Sequence, residues 1–461
     1  MTKTNLNTER DRRLTEELAD LVVSSHPEND DAAMAAARLG ILDFLAASFA
    51  ARGDSGTRKL WKIVDAEGSH AEVPVIGQQR KASFLQAALL NGYIGHALDF
   101  DDVHSDVRGH PSTVLLPALI SVAATYPLSG QRFLSAYIIG VEVMARLGRA
   151  IGDAHYIKGW HNTSTLGVIA AAVAAGYAKG FSTEQLQKAI GFAATQASGL
   201  RTQFGTEAKP LHAGLAAQSA LLAVKLAEAD FGGSLQALDG ENGFFAVYGD
   251  LSQAQSVLLK DWGSSWRIAA PGLWFKIYPF CSAAHHAADA AVRLTALYSF
   301  APAEVESVRI VFPPGGDAAL IEKQPRTGEQ GRFSVEYVVS LALHRRSLSL
   351  DSFTAAPIQE DILAFLPRAR RAYDSQIEPA PEAVPKGRFT IVEITAKDGQ
   401  VYRERVDRPR GAPGNALSVV DVQQKLTDVL TDAPALAEQL VDTTASLATE
   451  ADLTRLLSLL A

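Results

Sequence analysis

The stretch LGVIAAAVAAGYA at Leu166–Ala178 is apolar around its whole circumference and consists mostly of small residues. A helix without a polar face has to be surrounded by other parts of the protein. Further segments between about residues 15 and 270 also have apolar residues recurring every three or four positions, which is the pattern of helices. The sequence therefore predicts a large all-helical domain with this stretch near its centre.

The pattern changes after Pro271. Residues Glu306–Gly315 alternate as a strand and end in a turn, and Arg388–Asp407 forms two alternating runs around Asp398-Gly399, which is a strong hairpin signal. The intervening segments FSVEYVVSLALHRR and FTAAPIQEDILAFLPRARRAYD are predicted to be helical. This part of the chain is thus expected to form an α+β unit.

These patterns divide the chain into two domains, and the fold class is mainly α. We expect a large all-helical domain of residues 1–270, completed by 406–461, and a smaller α+β lid domain of residues 271–405. The helical segment VVDVQQKLTDVLTDAPALAEQL near the C-terminus is predicted to pack back on the helical domain.

Composition excludes several classes of protein. The 461 residues carry a net charge of -8, which argues against nucleic-acid binding because that needs a concentrated basic face. Hydrophobic residues make up 47% and charged residues 20%, so a globular chain with ample core is expected. The single cysteine, Cys281, excludes an intramolecular disulfide and CxxC sites.

Targeting signals and membrane spans are not expected from the sequence. The N-terminal segment MTKTNLNTERDRRLTEELAD is charged and has no apolar core, so no signal peptide is predicted. The longest apolar stretch is expected to be Leu166–Ala178, which is shorter than the roughly 20 residues that a bilayer requires. A cytoplasmic protein without a membrane partner is predicted.

Motifs of several common enzyme classes do not occur. The sequence contains no GxGxxG, no Walker-type phosphate loop, no GxSxG and no HExxH. Nucleotide cofactors, serine-hydrolase chemistry and zinc-peptidase chemistry therefore lose their usual sequence support.

Polar residues cluster in NGYIGHALDFDDVHSDVRGHPSTVLLPAL, residues 91–119. The cluster contains His96, Asp99, Asp101, Asp102, His104, Asp106, Arg108 and His110. A calcium-loop spacing fails because Val103 stands where a third oxygen ligand belongs, so no metal is predicted. Asp101 and Asp102 fit equally well as residues that cap or pair within a loop.

Three basic side chains precede buried helices. His110 stands before Pro111, His161 stands before the capping-type residues Asn162–Thr165, and Lys209 also precedes a proline. Free N–H groups and the helix dipole favour anions at such positions. Together they predict a site for a small anionic molecule, and a polycarboxylate suits it.

Two further segments contain reactive side chains. In FKIYPFCSAAHHAADAA, Lys276 precedes Cys281, and His285 would follow the cysteine by one helical turn. Cys281 and His285 could form a catalytic Cys–His pair. Alternatively, the thiol of Cys281 is packed as a small hydrophobic group, which is the commoner case. Tyr337 is either a phenol donor or a core aromatic residue.

Taken in order, five segments resemble the signatures of the MmgE/PrpD family: LDFDDVHSDVRGHPSTVLLPA, GWHNTSTLGVIAAAVAAG, TEAKPLHAGLAAQ, KIYPFCSAAHHAADA and RFSVEYVV. The family includes 2-methylcitrate dehydratase, cis-aconitate decarboxylase and iminodisuccinate epimerase. The resemblance implies a large helical domain with a smaller α+β lid, a homodimer, and catalysis without a metal or organic cofactor in a cleft between the domains.

The resemblance also implies site residues. The catalytic set is Asp99, His110, His161, Lys209, His285 and Tyr337, and the substrate-binding set is His104, Arg108 and Lys276. We expect His161 or His110 as base, Lys209 as carboxylate clamp, Tyr337 or His285 as acid, and Asp99 to orient one histidine. The chain departs from the family at Val103, where aconitate-type members commonly have threonine.

These observations favour a cofactor-independent lyase of the 2-methylcitrate dehydratase type. It would act on a small di- or tricarboxylate by removing a proton next to a carboxylate. The RGHPS and GWHNTSTLG segments resemble the epimerase branch of the family, so a dicarboxylate epimerase is the second hypothesis. A protein that binds polycarboxylates without catalysis is the third.

Overall fold

The computed structural model describes residues 13–298 and 301–461. The first twelve residues, which form most of the segment behind the prediction of no signal peptide, lie outside the described residues. Thirteen helices precede residue 260 in the described chain: α1 (Leu14–Val23), α2 (Asp31–Ala50), α3 (Ser55–Glu67), α4 (Phe84–His96), α5 (Ser112–Thr125), α6 (Gly130–Ile151), α7 (Asp153–Lys158), α8 (Asn162–Thr165), α9 (Gly167–Lys179), α10 (Thr183–Ala194), α11 (Ala208–Glu228), α12 (Phe244–Tyr248) and α13 (Leu251–Val257).

The apolar stretch that predicts the fold forms helix α9 at the centre of this bundle. Every residue from Gly167 to Ala178 is buried, and α5, α6, α10 and α11 pack around the helix. The prediction of a buried central helix is confirmed. The expectation of a purely helical domain is wrong in one place, because β1 (Val73–Val75) and β2 (Arg80–Ala82) form a small antiparallel sheet.

Helices α4 and α11 approach each other very closely. A Cβ atom added to Gly214 would lie 2.2 Å from the carbonyl oxygen of Leu89, and one added to Gly92 would lie 2.7 Å from the Cα of Gly214. Only glycine permits this distance between two helix backbones. The contact fixes the end of α4 relative to the start of α11, where Lys209 lies.

The second part of the chain, predicted as the α+β lid domain, combines helices with a four-stranded sheet and is called the α/β unit below. Its elements are α14 (His285–Leu297), β3 (Val305–Phe312), α15 (Gly328–Gly331), α16 (Val335–Arg345), α17 (Glu360–Phe365), β4 (Ala369–Tyr373), β5 (Thr390–Ala396) and β6 (Val401–Val406). The strand order is β4-β3-β5-β6, with β3 parallel to β4 and antiparallel to β5. The predicted strand at 306–315 and the predicted hairpin at 388–407 are both confirmed.

The predicted helix over residues 353–374 is wrong in its second half. The segment is helical at α17, but Ala369–Tyr373 is strand β4. Val308 of β3 pairs with Ala369, so backbone hydrogen bonds from a distant strand decide the conformation of this segment. Strand formation here depends on tertiary context, which local periodicity does not contain.

Two hydrophobic cores separate the helical domain from the α/β unit. The first includes residues up to Phe275 and resumes at Leu417, and the second extends from Phe280 to Val406. The last three helices are α18 (Val419–Val429), α19 (Pro434–Ser446) and α20 (Thr454–Ser458). They contribute to the first core, as predicted for the C-terminal segment.

One helix of the described chain is long and apolar enough to cross a membrane. It is α2, whereas Leu166–Ala178, which is predicted from the sequence to be too short, is not among the candidates. In the most apolar 18-residue segment of α2, 72% is buried inside the protein. The core helix of a soluble protein can be equally long and apolar. The helix is therefore weak evidence for a membrane span.

Candidate active site

A cavity of about 160 Å³ lies between the helical domain and the α/β unit. The helical domain lines it with Asp99, His104, Arg108, His110, His161 and Lys209, and the rest of the chain adds Trp274, Lys276, Cys281, His286, Phe333, Lys386 and Arg388, among others. Seven of the nine site residues predicted from the sequence thus meet around one space. The two exceptions are His285 and Tyr337.

Asp99 holds two lysines at the base of this cavity. Its Oδ1 atom accepts hydrogen bonds from Lys209 Nζ at 2.7 Å and Lys276 Nζ at 2.8 Å, and its carbonyl oxygen accepts a second bond from Lys276. Burial by itself would raise the pKa of Asp99, but the two ammonium groups hold it well below its usual value. Asp99 thus positions two cations and does not hydrogen-bond a histidine.

His110 presents a free nitrogen to the cavity. Its Nδ1–H donates to the carbonyl oxygen of Asp102 at 2.8 Å, and the same nitrogen lies 3.2 Å from Asp101 Oδ2. Because a carbonyl oxygen can only accept, the proton is on Nδ1 and Nε2 carries a lone pair. Nε2 lies 3.7 Å from Asp99 Oδ1, the oxygen atom that both lysines bond. Burial lowers the pKa of His110, so the imidazole is neutral in the free protein.

Asp101 orients two histidines, a role that the sequence assigned to Asp99. His96 Nδ1 lies 2.9 Å from Asp101 Oδ1, and the rings of His96 and His110 are 4.3 Å apart. Burial would raise the pKa of Asp101, but His96 and His110 hold it well below its usual value. The expectation that these aspartates pair and cap locally is confirmed also for Asp102, which accepts hydrogen bonds from the backbone and side chain of Ser112 at the start of α5.

His161 is another histidine of the cavity lining. It immediately precedes α8, as predicted, and its Nδ1 lies 3.0 Å from Nδ1 of His212. Burial first and Lys209 second hold its pKa well below the usual value. His212 was not predicted from the sequence, although it lies three residues after Lys209 and its side chain thus begins one turn further along α11.

Four of these side chains satisfy the geometry of a metal site. Ligand atoms of His96, Asp99, Asp101 and His110 all lie within 4.8 Å of one another. However, Asp99 already binds two ammonium groups, and Asp101 already binds two imidazoles. Two ammonium groups and two imidazole rings thus already bond the carboxylates that a metal would need. The absence of a metal stays a prediction.

His104 and Arg108 line the cavity, as expected for substrate-binding residues. His104 is fully buried, and its two ring nitrogens bond the carbonyl oxygen of Arg267 and the backbone N–H of Asp106. Arg108 has a positive φ of 52° and forms an ion pair with Asp153 at 2.7 Å. His104 therefore shapes the wall, while Arg108 contributes positive charge.

His285 and Tyr337 lie outside the cavity lining. His285 is fully buried, and its Nε2 donates to the carbonyl oxygen of Phe280 at 3.2 Å. Tyr337 belongs to the α/β core, and its hydroxyl donates to the carbonyl oxygen of Ser352 at 2.6 Å. The geometry thus agrees with the core alternative for Tyr337, and the acid role assigned to these two residues has no support in it.

His286, the residue after His285, lines the cavity instead. Its Nε2 donates to the carbonyl oxygen of Val384, and burial lowers its pKa to about 4. Cys281 also lines the cavity, and burial raises the pKa of its thiol. No hydrogen bond joins Cys281 and His285 in the described chain, because His285 Nε2 donates to Phe280 and its Nδ1 has no partner there. Which of the two adjacent histidines lines the cavity depends on where α14 begins, and the sequence does not indicate that position.

Arg388 and Lys386 were also missed as lining residues. They belong to the loop before β5, and the sequence signals of that region indicated only a hairpin. The lining of the described cavity thereby contains five cationic side chains, Arg108, Lys209, Lys276, Lys386 and Arg388, and one carboxylate, Asp99. This excess of positive charge favours an anionic ligand.

The chain is similar to known proteins over most of its length. Residues 16–256 match the MmgE/PrpD N-terminal domain, and residues 278–450 match the MmgE/PrpD C-terminal domain. Cis-aconitate decarboxylase of Homo sapiens is 30% identical over 351 residues, which cover 74% of this chain and 71% of that protein. The Mus musculus enzyme is 28% identical over 84% of this chain and 80% of its own length.

A fungal relative extends the comparison. Cis-aconitate decarboxylase of Aspergillus terreus (strain NIH 2624 / FGSC A1156) is 27% identical over 417 residues, which cover 84% of this chain and 83% of that protein. Both family domains and their order along the chain are thus accounted for, and the relatives named here are lyases. The chain therefore belongs to the MmgE/PrpD family and is an enzyme similar to the cis-aconitate decarboxylases.

Proposed function

We propose that this enzyme removes CO2 from a small tricarboxylate of the cis-aconitate type, without a metal or organic cofactor. The observation that carries the proposal is the position of His110, a lining residue whose Nε2 lies 3.7 Å from the Asp99 oxygen that binds both ammonium groups. One proton carrier and two fixed cations are the groups that such a reaction needs. The named relatives support decarboxylation over the other reactions of the family.

The cavity suits a small acid with several charges. Its volume of about 160 Å³ is below the roughly 300–1,000 Å³ of sites for drug-sized ligands. Lys209 and Lys276 are buried, so their charges act on a ligand through little water. We infer that one substrate carboxylate binds at these lysines, next to the carbon that reacts.

In the proposed reaction, the bond between one carboxylate and its carbon breaks and CO2 leaves. The electron pair of the broken bond forms a new double bond to the neighbouring alkene carbon. The electrons of the original double bond move to its other carbon, which takes up one proton. His110 would deliver this proton through Nε2, because a trianionic substrate raises the pKa of a neighbouring imidazole. Lys209 and Lys276 would stabilise the negative charge that develops on the remaining carboxylate.

A dehydratase of the 2-methylcitrate type is the second candidate. In its favour, the Nδ1–H of His110 is bonded to Asp102, which leaves Nε2 to accept a proton from the carbon next to a carboxylate, and burial lowers the pKa of this histidine. The acid for the leaving hydroxyl would have to come from a lysine, since His285 and Tyr337 do not line the cavity. The missing acid makes this candidate the weaker one.

A substrate panel followed by proton NMR in deuterated buffer tests the proposal. Cis-aconitate should lose CO2 and give an unsaturated dicarboxylate that carries one solvent deuteron on carbon. Conversion of 2-methylcitrate to an alkene with no reaction of cis-aconitate would favour the dehydratase. Deuterium exchange in iminodisuccinate without alkene formation would favour an epimerase using His110 and His161. Binding of these acids without product formation or deuterium exchange would contradict all three activities.

A further inference from the structure

Arg388 is a cavity-lining arginine without a partner. Among the described residues, its guanidinium forms neither a hydrogen bond nor an ion pair, whereas Arg108 in the same lining is paired with Asp153 at 2.7 Å. Its backbone is held in a turn in which the N–H of Arg388 donates to the carbonyl oxygen of Pro385 at 3.0 Å. A cation in a fixed loop is thus left free to bind a ligand.

The surroundings of Arg388 make an empty guanidinium unfavourable. The side chain is half-buried, and burial together with the nearby Arg108 lowers its pKa, although a guanidinium stays charged in proteins. A partly desolvated charge costs free energy unless an opposite charge or hydrogen-bond acceptors meet it. The buried Arg371 of the same α/β unit shows the usual solution, since Glu336 and Asp317 both pair with it.

Arg388 and the lysine pair reach the same cavity from different parts of the chain. Arg388 belongs to the loop before β5 in the α/β unit. Lys209 and Lys276 converge on Asp99, which belongs to the helical domain. A tricarboxylate that binds the lysines with one carboxylate and places the reacting carboxylate beside His110 would have a third carboxylate left for Arg388.

We propose that Arg388 is a specificity-determining residue that binds a substrate carboxylate that neither reacts nor contacts the lysines. This inference rests on the proposed function in that it assumes a polycarboxylate substrate. The planar guanidinium offers two parallel N–H donors, which match the two oxygens of a carboxylate. Arg388 would thereby select acids with a third carboxylate over dicarboxylates of similar size.

Binding measurements separate this inference from the proposed reaction. Isothermal titration calorimetry would compare tricarballylate, a tricarboxylate without an alkene, with methylsuccinate, which lacks one terminal carboxylate. Arg388→Met should weaken tricarballylate binding about 10–100-fold, the usual range for losing hydrogen bonds to a charged group, and change methylsuccinate binding little. Arg388→Lys should fall between Arg388→Met and the unmodified enzyme, because it keeps the charge and loses the paired donors.

Arg370→Met is the matched control, since Arg370 is an exposed arginine on β4 of the same unit and outside the cavity lining. It should leave both affinities unchanged. Equal weakening of tricarballylate and methylsuccinate by Arg388→Met, or no weakening of either, would overturn the inference. If cis-aconitate is not turned over but Arg388→Met still selectively weakens tricarballylate binding, the proposed reaction fails and the inference stands.

For turnover of cis-aconitate, the expected change is in KM rather than kcat. The carboxylate at Arg388 does not react. Losing its contact with the arginine therefore weakens binding of the ground state and of the transition state equally. A fall of kcat with an unchanged KM would show that Arg388 acts on the chemical step and would contradict the assigned role.

Discussion

The two walls of the cavity differ in how their polar groups are held. On the helical side, Asp99, Asp101 and His110 are buried and bonded to one another or to lysines. On the α/β side, Lys386 is exposed and Arg388 has no partner among the described residues. Groups held in fixed positions suit the chemical step, which depends on geometry, whereas unpaired charged side chains suit binding of the substrate. We expect substitutions on the two walls to affect different kinetic parameters.

Replacing His110 should give the largest effect on turnover. His110→Asn removes the proton carrier, so kcat/KM for cis-aconitate should fall about 100–10,000-fold, the range for a general acid or base. Steady-state kinetics would measure it. Tyr337→Phe is the contrasting variant because Tyr337 is in the α/β core, and its kcat/KM should remain close to that of the unmodified enzyme. A comparable loss in both variants would restore the acid role predicted for Tyr337.

Lys209→Met should reduce kcat about 100–1,000-fold, as observed when one preorganised charge-stabilising donor is removed. The variant also leaves Asp99 with a single ammonium partner. Lys62→Met, at an exposed lysine of α3, is the control and should leave kcat unchanged. If Lys209→Met raises KM and keeps kcat, the lysine binds substrate without acting in the reaction, and the distinction between the two walls would be lost.

The rigidity of the helical wall can be tested through Gly214. Gly214→Ala places a methyl group against the carbonyl oxygen of Leu89, so the free energy of unfolding should fall by about 1–3 kcal/mol. Urea unfolding measures this change. At Gly232 a Cβ would meet no heavy atom within 4 Å, and Gly232→Ala should have almost no effect. Equal stability of the two variants would mean that α4 and α11 can separate at little cost.

The smallest expected effect is in the pH profile. Burial lowers the pKa of His110 below its ordinary value of about 6.5, so at higher pH only a minority of free enzyme carries the proton that decarboxylation needs. The kcat/KM for cis-aconitate should therefore rise up to tenfold per unit as the pH is lowered from 8 to 6.5, and level off below the pKa. A kcat/KM that falls on acidification would assign His110 as a base.

The sequence located the helical wall well. Three of its basic groups, His110, His161 and Lys209, were found because each begins a helix whose apolar continuation is visible in the sequence. The α/β wall was predicted poorly. Arg388 gave no signal because an arginine at the start of a strand is common, and His285 was chosen over His286 although only the latter lines the cavity. The homodimer and the cytoplasmic location stay predictions.

The sequence by itself determined the buried helical bundle, the hairpin and the family, because these depend on local periodicity and on ordered segments along the chain. Only the tertiary structure decided that Ala369–Tyr373 is a strand, that Asp101 and not Asp99 orients His110, and that Arg388 faces the cavity. Each of these features depends on partners far away in the sequence or on the direction of a side chain. Periodicity records how often apolar residues recur, and it contains no information about which distant groups meet.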